Sequence, residues 1–159
     1  PPRWTSETLE RIFMDSKVVW KDGMAFESHL EGFTFDIDAD AKFGGQGSGP
    51  KPKGLVLTGL VGCTAMDVIA ILRKMRVEVD AFEVSAESSL TDAHPKIFTG
   101  ITVTYRFEGS DLPEGKLRRA VELSEDRYCG VSAMLRPLVP IRHEIIVNGE
   151  PLPEPANDA

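Results

Sequence analysis

The sequence predicts an α+β fold, and three observations predict it. Strand-like runs lie on both sides of one long apolar stretch at residues 52–76. That stretch is too long for a strand and holds no Pro between its first residue and its end. Beyond the following strands, apolar residues recur at helical spacing before a last alternating run. The order is βββ-α-ββ-αα-β, with no internal repeat.

The first fifteen residues are ambiguous, because Leu9, Ile12 and Phe13 follow helical spacing but a leading strand fits as well. Residues 16–20 and 24–29 flank Lys21-Asp22-Gly23, and Asp-Gly between such runs signals a hairpin. Glu31-Gly32 marks a second turn, after which Phe33, Phe35 and Ile37 alternate with polar residues. These runs form a three-stranded meander. Residues 42–52, KFGGQGSGPKP, read as a flexible loop, either an active-site lid or a plain connector.

The central stretch reads as a helix of roughly 27 Å over residues 55–72. It is apolar nearly all round, the pattern of a helix buried on every side. Gly59 and Gly62 leave gaps where another backbone can approach. Cys63 shares a face with Val56, Gly59, Leu60, Met66, Asp67 and Ala70. A membrane span is disfavoured because Asp67 near its centre would cost about 2.5–3.5 kcal/mol on the insertion scale.

Residues 82–90 and 97–107 are the next two strands, the second with Ile101, Val103, Tyr105 and Phe107 alternating. Pro113 opens a second helix whose inner face is Leu117, Ala120, Val121 and Ser124. A short helix begins near Cys129 and stops before Pro137. Ile141, His143, Ile145 and Val147 form the last strand, and residues 150–159 read as a frayed tail. One sheet and two short helices cannot cover a helix that is apolar all round. A second copy of the chain is the simplest cover, so an intimate homodimer is expected.

The chain has 159 residues, enough for one domain with a real core. A net charge of −7 opposes nucleic-acid backbones. The start of the chain shows no secretory signal, and cytoplasmic localisation with reduced thiols is the expectation.

Cys63 and Cys129 are the only cysteines. Either they are two small core side chains or they are reactive thiols. Cys63 is mid-helix, and Asp67 one turn on opposes its ionisation, so a reactive Cys63 needs a cation from elsewhere. Cys129 lies near a helix start with Arg127 beside it, so it is expected to be the more acidic thiol. No metal-ligand spacing links His29, His94, His143 and the cysteines. The glycine loop lacks a Gly-Lys-Ser/Thr ending, and no Gly-x-Ser-x-Gly elbow is present.

Three segments occur in order: GLVGCTAMDVIAILRKM, HPKIFTGITVTYRFEG and LRRAVELSEDRYCGVSAML. Together they resemble the OsmC/Ohr family of thiol-dependent peroxidases, most closely its OsmC-like branch with a Gly-Cys-Thr helix, over about residues 17–147. The resemblance implies an intertwined homodimer with long central helices packed between sheets. It implies reduction of organic hydroperoxides with neither metal nor organic cofactor. Cys63 would be the peroxidatic nucleophile and Cys129 the resolving thiol, with an external dithiol, in some members lipoyl groups, restoring both. Leu60, Met66, Phe43 and Met134 are the expected lining of an apolar pocket. The family's best-known peroxidases add an Arg from the N-terminal hairpin and a Glu before the first Cys helix. The matching positions here are Lys21 and either Lys53 or Gly54, so Lys21 or Lys53 is the expected cation for Cys63. Two other readings stay open: a redox sensor or dithiol oxidoreductase with little turnover, and a binding protein for a small apolar ligand.

Overall fold

The computed structural model describes residues 14–153. The ambiguous start up to residue 13 and the tail from residue 154 lie outside the described residues. The chain divides into two compact units, Pro1–Leu55 and Val56–Ala159. The expected element order is found: three helices and two sheets.

The first unit is an antiparallel meander of β1 (Ser16–Asp22), β2 (Ala25–Leu30) and β3 (Phe33–Ile37). Asp22 and Gly23 make the first turn, where Asp22 Oδ1 accepts from the Gly23 amide and Asp22 pairs with Ala25. β1 is an edge strand exposed along its whole length, with Val18, Val19 and Trp20 open to solvent.

The glycine-rich loop is not the flexible segment that its composition suggests. Asp38 is buried, and its carboxylate accepts from the backbone N–H groups of Ala39, Gln46 and Ser48 and from the Ser48 hydroxyl. Those bonds hold its pKa far below the usual carboxylate range. The Asp38 amide donates to the Pro50 carbonyl, and Lys51 pairs with Asp40 at 2.7 Å. Two glycines are required by close approach rather than by freedom. A Cβ at Gly45 would lie 1.8 Å from the Ala39 carbonyl oxygen, and one at Gly49 would lie 2.0 Å from that of Asp36. Asp38→Ala is expected to speed hydrogen exchange at the Gln46 and Ser48 amides by roughly tenfold or more, with the β2–β3 amides unaffected. Unchanged protection would show that the loop is held by something else.

Helix α1 (Pro52–Lys74) leads from the first unit into the second. Arg73 and Lys74 complement the dipole at its last turn, and Arg76, at φ 56°, ends it in a left-handed conformation. Within the chain α1 is not buried on every side. Leu60, Thr64, Val68, Ile71 and Leu72 form one buried stripe, whereas Val56, Gly59, Met66 and Ala70 are exposed. Among the described residues a Cβ at Gly59 or Gly62 would meet nothing within 4 Å, so the expected close backbone approach is not made by them.

The second sheet has the order β4 (Ala81–Leu90), β5 (Phe98–Glu108), β6 (Ile141–Val147) and β7 (Glu150–Pro151). β5 and β6 are parallel, with Ile101 opposite Ile141 and Phe107 opposite Val147. A parallel pair needs a crossover. It is supplied by α2 (Glu114–Leu123), a π-helical turn (Ser124–Tyr128) and α3 (Gly130–Leu135). The inner faces of α1, α2 and β5 share one core, in which Leu60, Val68, Tyr105, Phe107, Leu117 and Val121 are almost wholly buried. The Phe82 and Phe107 rings stack at 4.7 Å. Residues 150–153 are not the frayed segment expected of them. Asn148-Gly149 turns the chain back so that Glu150 and Pro151 pair with β6, the Leu152 amide donates to Ile145, and Arg118 donates to the Pro153 carbonyl.

Candidate functional site

Cys63 and Asp67 stand one turn apart on the flank of α1, between its buried stripe and its open face. Cys129 arrives from the crossover. The π-helical turn widens the chain so that the Cys129 amide reaches back to the Ser124 carbonyl at 2.8 Å. Cys129 then caps α3, its Sγ accepting from the Ser132 amide at 3.3 Å. The result is one cluster: the sulfurs of Cys63 and Cys129 and a carboxylate oxygen of Asp67 lie within 4.8 Å of one another. Both thiols are free, Cys129 buried and Cys63 half-buried. These three side chains could also hold a metal ion. Sequence spacing hides that set, because its third member comes from a distant element.

The expected acidity of Cys129 is not found. Burial pushes its pKa up, and the helix-cap hydrogen bond from Ser132 only partly offsets this. Neighbouring Cys63 and Asp67 push it further the same way. A helix start therefore does not acidify a thiol that is only 2% exposed.

Behind the cluster runs a chain of polar groups, buried at Thr64, Tyr105 and Ser124, that sequence reasoning missed as a unit. Ser124 Oγ donates to Asp67 at 3.2 Å, and Thr64 Oγ1 lies 2.8 Å from Ser124 Oγ and 2.7 Å from the Tyr105 hydroxyl. Tyr105 donates to Glu125 at 3.2 Å, and Glu125 meets His143 Nδ1 at 2.8 Å and Arg136 at 4.0 Å. Burial first, and the Glu125 charge second, hold the Tyr105 phenol in its protonated form. Every member has a partner, as buried polar groups require. The one signal in the sequence is polar residues at core positions, Thr64 on α1 and Ser124 at the start of the π-helical turn.

The expected pocket lining differs in burial. Leu60 belongs to the core, while Phe43, Met66 and Met134 are exposed. Lys21 is committed to Asp36 at 2.7 Å, a contact that raises its pKa. Lys53 stands exposed in the first turn of α1.

Residues 45–144 match the family model described as OsmC-like protein. Protein YhfA of Escherichia coli (strain K12) is 35% identical over 131 residues, covering 82% of this chain and 95% of the relative. The crystal structure of a hypothetical protein from Aquifex aeolicus VF5 is 26% identical, with a TM-score of 0.76 over 86% of this chain and 96% of that one. The organic hydroperoxide resistance protein OhrB of Bacillus subtilis, 20% identical, shares the fold with a TM-score of 0.64 over 85% of this chain and 98% of that one. With the family model and the YhfA match both spanning most of its length, this chain belongs to the OsmC-like family.

Proposed function

We propose that the protein is a cytoplasmic, homodimeric thiol peroxidase that reduces organic hydroperoxides. The observation that carries this reading is the meeting of the two sulfurs, remote in sequence, within 4.8 Å at a half-buried position. The Cys63 thiolate attacks the peroxide O–O bond, giving Cys63–SOH and an alkoxide, which takes up from solvent the proton released on forming the thiolate and leaves as an alcohol. The Cys129 thiol then condenses with the sulfenic acid, releasing water and closing a disulfide of about 2.05 Å. An external dithiol, lipoyl groups among the candidates, takes up the oxidation and restores both thiols. Neither step draws on a metal or an organic cofactor.

The second copy of the chain supports the site by covering what one copy leaves open. The flank bearing Cys63 adjoins the exposed residues Val56, Gly59, Met66 and Ala70, and β1 presents Val18, Val19 and Trp20 outward. Two α1 helices packed at Gly59 and Gly62 would bury that exposed helix face and put apolar side chains beside Cys63.

A second reading is favoured by one specific observation: Asp67 stands beside both sulfurs, and its charge helps to raise the Cys129 thiol. A dithiol redox sensor or oxidoreductase with slow peroxide turnover fits that charge arrangement. Steady-state consumption of cumene hydroperoxide with a dithiol separates the two. Many turnovers per site are expected. Reversible Cys63–Cys129 disulfide formation without sustained turnover would move the assignment to the second reading.

A further inference from the structure

We propose that the reduced site binds a thiophilic divalent cation of the zinc class through the sulfurs of Cys63 and Cys129 and one carboxylate oxygen of Asp67. This binding does not depend on peroxide turnover. The three donor atoms lie within 4.8 Å of one another. A tetrahedral zinc with sulfur ligands at about 2.3 Å holds them about 3.8 Å apart. The site therefore needs to close by about 1 Å at most, within reach of small side-chain rotations.

The ligands are supplied as a metal site supplies them. Two come from one helix, an i, i+4 pair on the flank of α1, and the third from the cap of α3. The carboxylate is oriented by the Ser124 hydroxyl at 3.2 Å, itself held by Thr64 at 2.8 Å. Such outer hydrogen bonds aim a ligand and commonly matter tenfold or more to affinity, on the order of 10–100-fold. Two thiolates and a carboxylate carry three negative charges, of which a dication offsets two without redox change. Binding displaces the two thiol protons to solvent. Two sulfur donors select against calcium and magnesium, which take oxygen ligands. Cys129 is buried, whereas Cys63 and Asp67 are half-buried, so the fourth position faces the open side and water completes it.

The cation and the disulfide are mutually exclusive occupants of the same atoms. Metal loading makes Cys63 a coordinated thiolate, and oxidation to the disulfide removes both sulfur ligands.

The test is titration of the phosphine-reduced full chain with cobalt(II), followed by competition with zinc(II). One cobalt per chain is expected, with thiolate-to-cobalt charge-transfer absorption and the visible bands of tetrahedral coordination, and with release of two protons per zinc in unbuffered solution. Cys63→Ser and Cys129→Ser are each expected to reduce the charge-transfer intensity and weaken zinc by at least about tenfold. Asp67→Asn keeps the hydrogen bond to Ser124 available, and is expected to keep the charge-transfer band while weakening zinc. Absence of charge transfer in the wild-type chain would overturn the proposal. So would equal zinc affinity in wild type and both cysteine variants, because the metal would then be held elsewhere.

Discussion

Cys63→Ser is expected to abolish hydroperoxide consumption, a loss of at least about 10³-fold, because a serine hydroxyl at the same place offers no comparable nucleophile at neutral pH. Cys129→Ser is expected to behave differently. It should consume one equivalent of hydroperoxide per site and stop, with a sulfenic acid on Cys63 that dimedone captures. The asymmetry follows from the placement of the two sulfurs. Cys63 is half-buried beside the open face of α1, where a small peroxide can arrive. Cys129 is sealed at 2% exposure, and burial keeps its thiol protonated through neutral pH. If Cys129→Ser lost the first equivalent as well, or if dimedone labelled Cys129 in the Cys63→Ser protein, the two roles would be reversed.

Gly59→Leu is expected to break the proposed dimer while leaving the chain folded. Among the described residues nothing lies within 4 Å of a Cβ at position 59, so the first atom of the new side chain meets no internal clash. Taken alone, the helix should gain up to about 1 kcal/mol, since leucine is a far better helix former than glycine. A second α1 packed on that glycine leaves no room for the added side chain. Sedimentation should therefore shift from twice the 17.5 kDa chain mass to that mass, with helical content retained. A variant that kept the dimer mass and melted at higher temperature would show that this face of α1 is not where two copies meet.

The fold was legible where one residue pattern had one physical outcome. Ile101, Val103, Tyr105 and Phe107 alternate because one face of β5 is core, and all four are at most 2% exposed. Leu117, Ala120, Val121 and Ser124 were readable as an inner face from helical spacing alone, and all four are buried. Legibility failed where two effects compete or where a single side chain does long-range work. In the 42–52 loop, glycine content suggested freedom, but one carboxylate, Asp38, organises the segment and two of its glycines serve close packing. At Cys129 a helix start and burial oppose each other, and burial wins. The apolar girth of α1 was readable, but only one stripe of it is buried within a single chain. The polar chain from Asp67 to His143 joins α1, β5, the π-helical turn and β6, and no local pattern announces such a set.

The proximity of two sulfurs carried by separate elements is the premise of the proposed chemistry. Mass analysis of the intact wild-type chain after one equivalent of organic hydroperoxide reads it directly. The expected product is lighter by two hydrogens, yields one cross-linked peptide pair joining Cys63 to Cys129, and returns to the starting mass with a dithiol. A chain that instead gains oxygen at either cysteine, with no cross-linked pair at any time, would contradict it.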